Sequence, residues 1–327
     1  MLAELNGRRV FLTGGTGFFG KSILDMVKKG ALPAMELLVL SRDPEKFLKE
    51  NEEFSGLPGV RFVKGDVRDF SFPAGHFDCI LHAAAPALTG LPPGVSRSII
   101  LEGTARVLDF ARICGAEKLL FVSSGAVYGR FPSGCLRIPE TAPCAPVTEY
   151  GIAKLEAEKM CLDSPLSTVI ARCFAFAGPR LNLDIHFAFG NFLRDALAGR
   201  EIEIRGDGTP YRSYLYADDL VEWLFTLLVR GTPGMICNVG SPEEIRISEL
   251  ARRIAGAFTP APEVRILGRP LPGAPPERYV PDVTLAERKL GLKPRIGLAE
   301  AIELCRDFHR SRNGGTGDFS ARQVTGR

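Results

Sequence analysis

Along the first half of the chain, short continuous apolar runs alternate with longer stretches whose apolar positions recur every three or four residues. The runs RVFLT (9–13), ELLVL (36–40), VRFVKGD (60–66), FDCILHAAA (77–85), KLLFVSS (118–124) and STVIAR (167–172) read as buried strands. Helical periodicity fills the gaps over 20–29, 97–114 and 149–162. Strands that alternate with helices of this length form βαβ units and a parallel sheet, so the pattern predicts a doubly wound α/β fold. Such a sheet binds ligands at the carboxyl ends of its strands.

Past residue 172 the texture changes. GDGTP (206–210), GTPG (231–234) and the Pro-rich GRPLPGAPPERYVP (268–281) break the chain into shorter elements, with helical patterns near 217–230, 248–257 and 297–312. The expected organisation is a Rossmann-type domain over 1–172 and a smaller C-terminal α+β lobe that takes up most of 173–312. Segments near 216–240 return to the first domain. Residues 313–327 are polar and Gly-rich, and read as a disordered tail.

Composition narrows the functions. With 45% hydrophobic and 24% charged residues the chain is an ordinary globular protein. A net charge of +3 leaves no electrostatic footprint for nucleic acid. The longest apolar segment, WLFTLLV, is far short of the ~20 residues that span a bilayer. Eight scattered cysteines without a C-x-x-C pair read as free thiols, which places the protein in the reducing cytoplasm. No metal-ligand cluster stands out.

The first chemical signal is a glycine-rich turn between the first strand and first helix, Gly14-Gly15-Thr16-Gly17-Phe18-Phe19-Gly20. Glycines there allow positive φ and close backbone approach to a pyrophosphate, while the helix N-terminus supplies N–H groups and dipole. The turn therefore predicts a dinucleotide. The second strand ends at Ser41-Arg42, where NAD-specific proteins favour an acid. A hydroxyl and a guanidinium suit a 2′-phosphate, so of NAD and NADP the pair tilts the expectation to NADP.

The second signal is Tyr150-Gly151-Ile152-Ala153-Lys154. Residues i and i+4 share a helix face, so phenol and ammonium can point into one cleft, where the cation would ease ionisation of the phenol. Ser124 ends an inferred central strand at the ligand-binding edge, positioned to bond the same substrate oxygen as Tyr150.

Together, TGGTGFFG, SSGAVYG and YGIAK, in this order and separation, resemble the extended short-chain dehydrogenase/reductase superfamily, and within it the nucleotide-sugar epimerase/dehydratase branch. The resemblance covers about residues 8–310. It implies that Tyr150 is the catalytic acid/base, Lys154 its partner and a nicotinamide-ribose ligand, and Ser124 an aid at the substrate oxygen. It places Asp66 and Val67 at adenine, Ala83, Ala84 and Ala85 beside the pyrophosphate, and Cys173 at the cofactor. Asn191, Arg212 and, more loosely, Arg278 fall where relatives hold the nucleotide diphosphate. Asp219 and Asn238–Ser241 match structural positions, and a homodimer through the Tyr-bearing helix and the one before it is implied.

Departures from the pattern bear on the reaction. Where dehydratases carry Asp-Glu after the catalytic hydroxyl, this chain has Gly125-Ala126, neither of which moves a proton. Ala175 replaces a family asparagine, and Ser213 follows Arg212 where Asp is common. The resulting expectation is a nucleotide-sugar epimerase that oxidises a hexose hydroxyl, at C4, and reduces the rotated ketone on its other face. An NADPH-dependent reductase of a 4-keto-6-deoxy sugar nucleotide is the alternative, and a non-catalytic dinucleotide-binding protein a second one.

Overall fold

A computed structural model describes residues 2–86, 91–92, 94–131, 134–184, 187–273 and 275–313; the tail beyond Asn313 lies outside the described residues. The chain runs β1 (Arg9–Thr13), α1 (Phe18–Lys28), β2 (Glu36–Ser41), α2 (Pro44–Glu50), β3 (Val60–Lys64), β4 (Cys79–His82), α3 (Val95–Ile113), β5 (Lys118–Ser124), α4 (Glu149–Asp163) and β6 (Thr168–Cys173). Beyond lie β7 (Phe176–Ala177), α5 (Ala188–Leu197), β8 (Ile202–Ile204), β9 (Tyr211–Ser213), β10 (Leu215–Tyr216), α6 (Ala217–Arg230) and β11 (Met235–Val239). The last elements are β12 (Glu244–Arg246), α7 (Ile247–Gly256), β13 (Val264–Ile266), β14 (Arg278–Tyr279), α8 (Thr284–Leu290) and α9 (Leu298–Asn313).

Seven strands form one parallel sheet in the order β11-β6-β5-β4-β1-β2-β3. This is the Rossmann-type doubly wound sheet. Its central strands read as unbroken apolar runs because helices cover both faces. On one face α1 and α6 share a core in which Ile23 and Leu24 pack with Trp223, Leu224 and Leu227. On the other, Ile100, Val107 and Phe110 of α3 meet Ala153, Ala157 and Cys161 of α4. The outer surfaces of α3 and α4 leave Ile113 59% and Ile152 40% exposed.

The apolar runs overestimate two strands, for local reasons. β4 stops at His82 because Ala83 must leave the sheet to cross over Gly14. Phe77, before it, turns instead into a ring cluster with Phe11 and Phe110. β3 stops at Lys64: Gly65 N–H closes onto the Ser41 carbonyl, and the Asp66 carboxylate takes Arg68 N–H at 3.1 Å in a turn. Helix α2 is an addition to the sequence reading. Pro44 opens it and Asp43 caps it by accepting Lys46 N–H at 3.0 Å.

β11 adds to the sheet edge by pairing with β6 from Met235 to Val239, so the chain returns to the first lobe after leaving it. The second lobe has its own core, where Phe189 and Leu193 of α5 pack with Leu250 and Ile254 of α7 and Ala301 and Ile302 of α9. Its small sheets are β12-β9-β14 and β13-β8. The order reverses at β1, flanked by β2 and β4, which opens a crevice at the carboxyl ends of β1 and β4. Among the described residues no helix is long and apolar enough to cross a membrane, and no group of His, Cys, Asp or Glu could hold a metal ion.

Candidate active site

The glycine turn sits at that crevice. Gly14 has φ +75° and its absent Cβ would lie 2.6 Å from the Ala83 carbonyl carbon, so the loop after β4 rests on bare backbone. A Cβ on Gly20 would lie 2.1 Å from Gly15 Cα, which locks the turn against α1. Gly17 is the N-cap of α1 and offers no side-chain cap. The first-turn N–H groups are thus left for an external acceptor, and a pyrophosphate fits that cradle. Phe18 and Phe19 pack their rings against Phe176.

Beneath the turn runs a buried relay. Thr104 donates to the Ile100 carbonyl at 2.6 Å, which leaves its oxygen to accept His82 Nε2–H at 3.1 Å. Thr13 then donates to His82 Nδ1 at 2.7 Å and accepts Ala84 N–H at 3.1 Å. The chain of bonds fixes one neutral imidazole tautomer and anchors the Ala83–Ala85 loop. Burial, with Lys154 adding to it, pushes His82 down to about 3 from 6.5. The unfolded chain therefore takes up a proton that the folded one refuses. Stability is full above about pH 6.5 and falls towards pH 3, by up to about 1.4 kcal/mol per unit from this residue. His82→Gln is expected to flatten that slope, measured by urea unfolding at pH 7 and pH 4.5; an unaltered slope would refute the assignment.

At the far end of the crevice Ser41 is buried and Arg42 exposed, and Arg42 contributes to the field at Asp66. The carboxylate of Asp66 takes Arg68 Nε at 2.8 Å, and that bond holds its pKa below the usual range. Val67 packs against Gly103, where a Cβ would come within 2.8 Å. The groups matched to the adenosine end therefore lie together.

The groups matched to the reaction centre lie at the other end. Thr148 caps α4 by accepting Gly151 N–H at 3.1 Å, which starts the helix one residue before Tyr150. Tyr150, Lys154 and Glu158 then follow at i, i+4 and i+8 on one face. Ser124, the last residue of β5, accepts Ala126 N–H at 3.1 Å and faces the Tyr150 phenol. Burial raises Tyr150 to about 12, with neighbouring Cys173 adding to the rise and the Ser124 hydroxyl opposing it. Lys154 is 1% exposed and brought down to about 8 by burial. Its ammonium lies 5.9 Å from the Tyr150 ring centroid but donates to the Val122 carbonyl at 2.7 Å. The ammonium thus spends a donor on the end of β5 and lies beside the phenol ring. Cys173 ends β6 beside both, its thiol kept neutral by burial.

A clasp that the motifs do not announce supports this pair. Ser123 donates to Glu158 at 2.5 Å, and Arg172 grips the same carboxylate through Nη2 at 2.7 Å and Nε at 3.1 Å. Arg172 also stacks over Tyr128, whose hydroxyl donates to Asn238 at 2.8 Å. The signal for Glu158 was available, one turn beyond Lys154 on the same face.

In the second lobe the residues divide. On β12-β9-β14, Arg212 stands in register with Tyr279 and Ile245, whereas Arg278 stands with Tyr211 and Arg246. Paired strand residues share a face and successive ones alternate, so Arg212 and Arg278 point to opposite sides. Arg278 stacks 4.0 Å over Tyr211 and pairs with Glu244; Arg212 lies 5.8 Å over Tyr279 and bonds Glu277 at 3.0 Å. Tyr279, not Arg278, shares the Arg212 face and reaches Ser124. Asn191 is part-buried on α5. Asp219 holds the segment before α9 by accepting Arg295 and Ile296 N–H at 2.9 and 3.0 Å.

The model of the NAD dependent epimerase/dehydratase family matches residues 10–240. UDP-glucuronic acid decarboxylase 6 of Arabidopsis thaliana is 29% identical, over 94% of this chain and 90% of its own. The dTDP-glucose 4,6-dehydratase of Streptomyces venezuelae, solved with NAD and TYD bound, is 26% identical with a TM-score of 0.78, covering 94% of this chain and 98% of that one. UDP-glucose 4-epimerase of Thermotoga maritima, solved with UDP-glucose, shares the fold with a TM-score of 0.77 at 23% identity, over 93% and 99%.

Proposed function

The chain belongs to the NAD dependent epimerase/dehydratase family, and from that premise we propose that it is a nucleotide-sugar epimerase working by transient oxidation at C4. The observation that carries this reading is the make-up of the reaction centre. The Tyr150 phenol and the Ser124 hydroxyl face each other, and the next residues, Gly125 and Ala126, bring no second acid or base. Such a site can take a proton from one hydroxyl and return it, but it lacks the groups that expel water from a neighbouring carbon.

Tyr150 removes the sugar hydroxyl proton, Ser124 bonds the same oxygen, and Lys154 favours the ionised phenol from behind. A nicotinamide dinucleotide whose pyrophosphate is held by the Gly14–Gly20 turn would supply the hydride acceptor and donor. Arg212 faces the side from which a diphosphate would enter. Return of the hydride to the other face of the rotated ketone would invert the centre, while Tyr150 gives the proton back to the oxygen.

Ser41 and Arg42 favour a second reading, an NADPH-dependent reductase of a 4-keto sugar nucleotide. Two assays separate the readings. Cofactor released by denaturing the purified protein is identified, and UDP-glucose, UDP-galactose, UDP-glucuronate and a 4-keto-6-deoxy sugar nucleotide are tested for turnover. Bound NAD with interconversion of C4 epimers supports epimerisation. Net consumption of NADPH sinks it, as does release of CO2 from the uronate. Arg42→Ala is expected to weaken NADP(H) binding by roughly ten- to a hundredfold, the weight of one charged hydrogen bond, with NAD unaffected. Calorimetry with both cofactors measures this, and equal losses would mean Arg42 reads no 2′-phosphate.

A further inference from the structure

Tyr279 reaches the reaction centre from β14, far along the chain from the motifs. Its hydroxyl comes within 2.6 Å of where a Cβ on Gly125 would stand, beside Phe174 ring carbons at 3.0 Å. Any side chain at 125 would collide with it. The glycine after Ser124 and the phenol on β14 are therefore one arrangement: the phenol fills the space that the missing side chain leaves. Phe174 packs on the Tyr279 ring with centroids 4.8 Å apart, Phe131 lies 5.9 Å away, and Arg212 covers it at 5.8 Å, so its position is fixed from three sides.

Ser124 directly precedes that glycine, which puts it beside the Tyr279 hydroxyl as well as Tyr150, and its hydroxyl works against the rise in pKa that burial imposes on both phenols. A serine oxygen has two acceptor sites and one proton. The Ala126 N–H occupies one acceptor site. We propose that Tyr279 is a positioning residue that donates its hydroxyl to the other acceptor site of Ser124, so that the Ser124 proton can only be given, to Tyr150 and the substrate oxygen it shares. A donor committed in this direction favours the ionised form of Tyr150. Burial keeps Tyr279 itself protonated, since it pushes that phenol up. The charged and titratable groups facing Tyr150 are Lys154 on its own helix, Cys173 on β6 and Tyr279 on β14, with Arg212 behind Tyr279.

This inference rests on Tyr150 being the acid/base group, and the test separates the two ideas. In Tyr279→Phe, the ring packing stays and only the hydroxyl is lost. Turnover is expected to fall about three- to tenfold with KM within twofold, and the acid limb of the rate to move up by about half a pH unit or more. In a Ser124→Ala background the same change should cost nothing further, because its effect passes through Ser124. A readout independent of turnover is NMR of protein labelled with 13C at tyrosine Cζ. The Tyr279 resonance, assigned by its loss in Tyr279→Phe, should shift in Ser124→Ala. An unmoved resonance, an unshifted limb, or additive losses in the double variant would overturn the proposal. If no nucleotide sugar is turned over, the functional reading fails while the resonance still decides the contact.

Discussion

Tyr150→Phe is expected to lower turnover of a nucleotide-linked hexose by about 10²- to 10⁴-fold, the usual weight of one placed acid/base group. Of the two phenols at the Ser124 hydroxyl, Tyr150 has the Lys154 ammonium beside its ring, whereas Tyr279 is enclosed by Phe174, Phe131 and Arg212; Lys154 itself spends a donor on the Val122 carbonyl, and the Cys173 thiol is held neutral. Stability should change little, because Phe keeps the ring beside Lys154 and Ser124 retains Ala126 N–H as a partner. Cofactor content should also persist, since the Gly14–Gly20 turn and the His82 relay lie elsewhere. Initial rates, cofactor content and urea unfolding measure the three effects together. Rates within tenfold of the parent would mean that another group moves the proton.

The parts of the fold that could be read from sequence are those set by local rules. Strands buried on both faces have to be apolar throughout, so β1, β2, β5 and β6 stand out as runs, and the turn after β1 needs glycines that nothing else replaces. Y-x-x-x-K is legible because helix geometry makes i and i+4 neighbours. What could not be read depends on contacts between distant segments. Tyr279 sits in a Pro-rich tract with no periodicity, and only the pairing of β14 with β9 decides that residue 279, and not 278, shares a face with Arg212. Likewise Arg172 reads as one more polar residue at a strand end. Its partner Glu158 lies on another element, and the bond appears only when α4 packs over β6.

That buried pair carries the second large effect. Arg172→Met is expected to destabilise the protein by about 3–5 kcal/mol, measured by urea unfolding, because it strips the buried Glu158 carboxylate of its bidentate partner and leaves it the Ser123 hydrogen bond. Burial works against the Arg172 charge, but the bonds and field of Glu158 outweigh it and keep the guanidinium protonated. The cost is that of an orphaned ion, not of a lost attraction. Removing both charges in Arg172→Met with Glu158→Leu should therefore recover most of the loss, and a double variant no more stable than the single one would refute this account. Activity need not recover with stability. Ser123 precedes Ser124, and Glu158 follows Lys154 by one turn, so the carboxylate ties the end of β5 to the helix that carries Tyr150. A stable double variant with reduced turnover would show that the pair is kept for the alignment of the reacting hydroxyls, at a place where an apolar contact would hold the fold equally well.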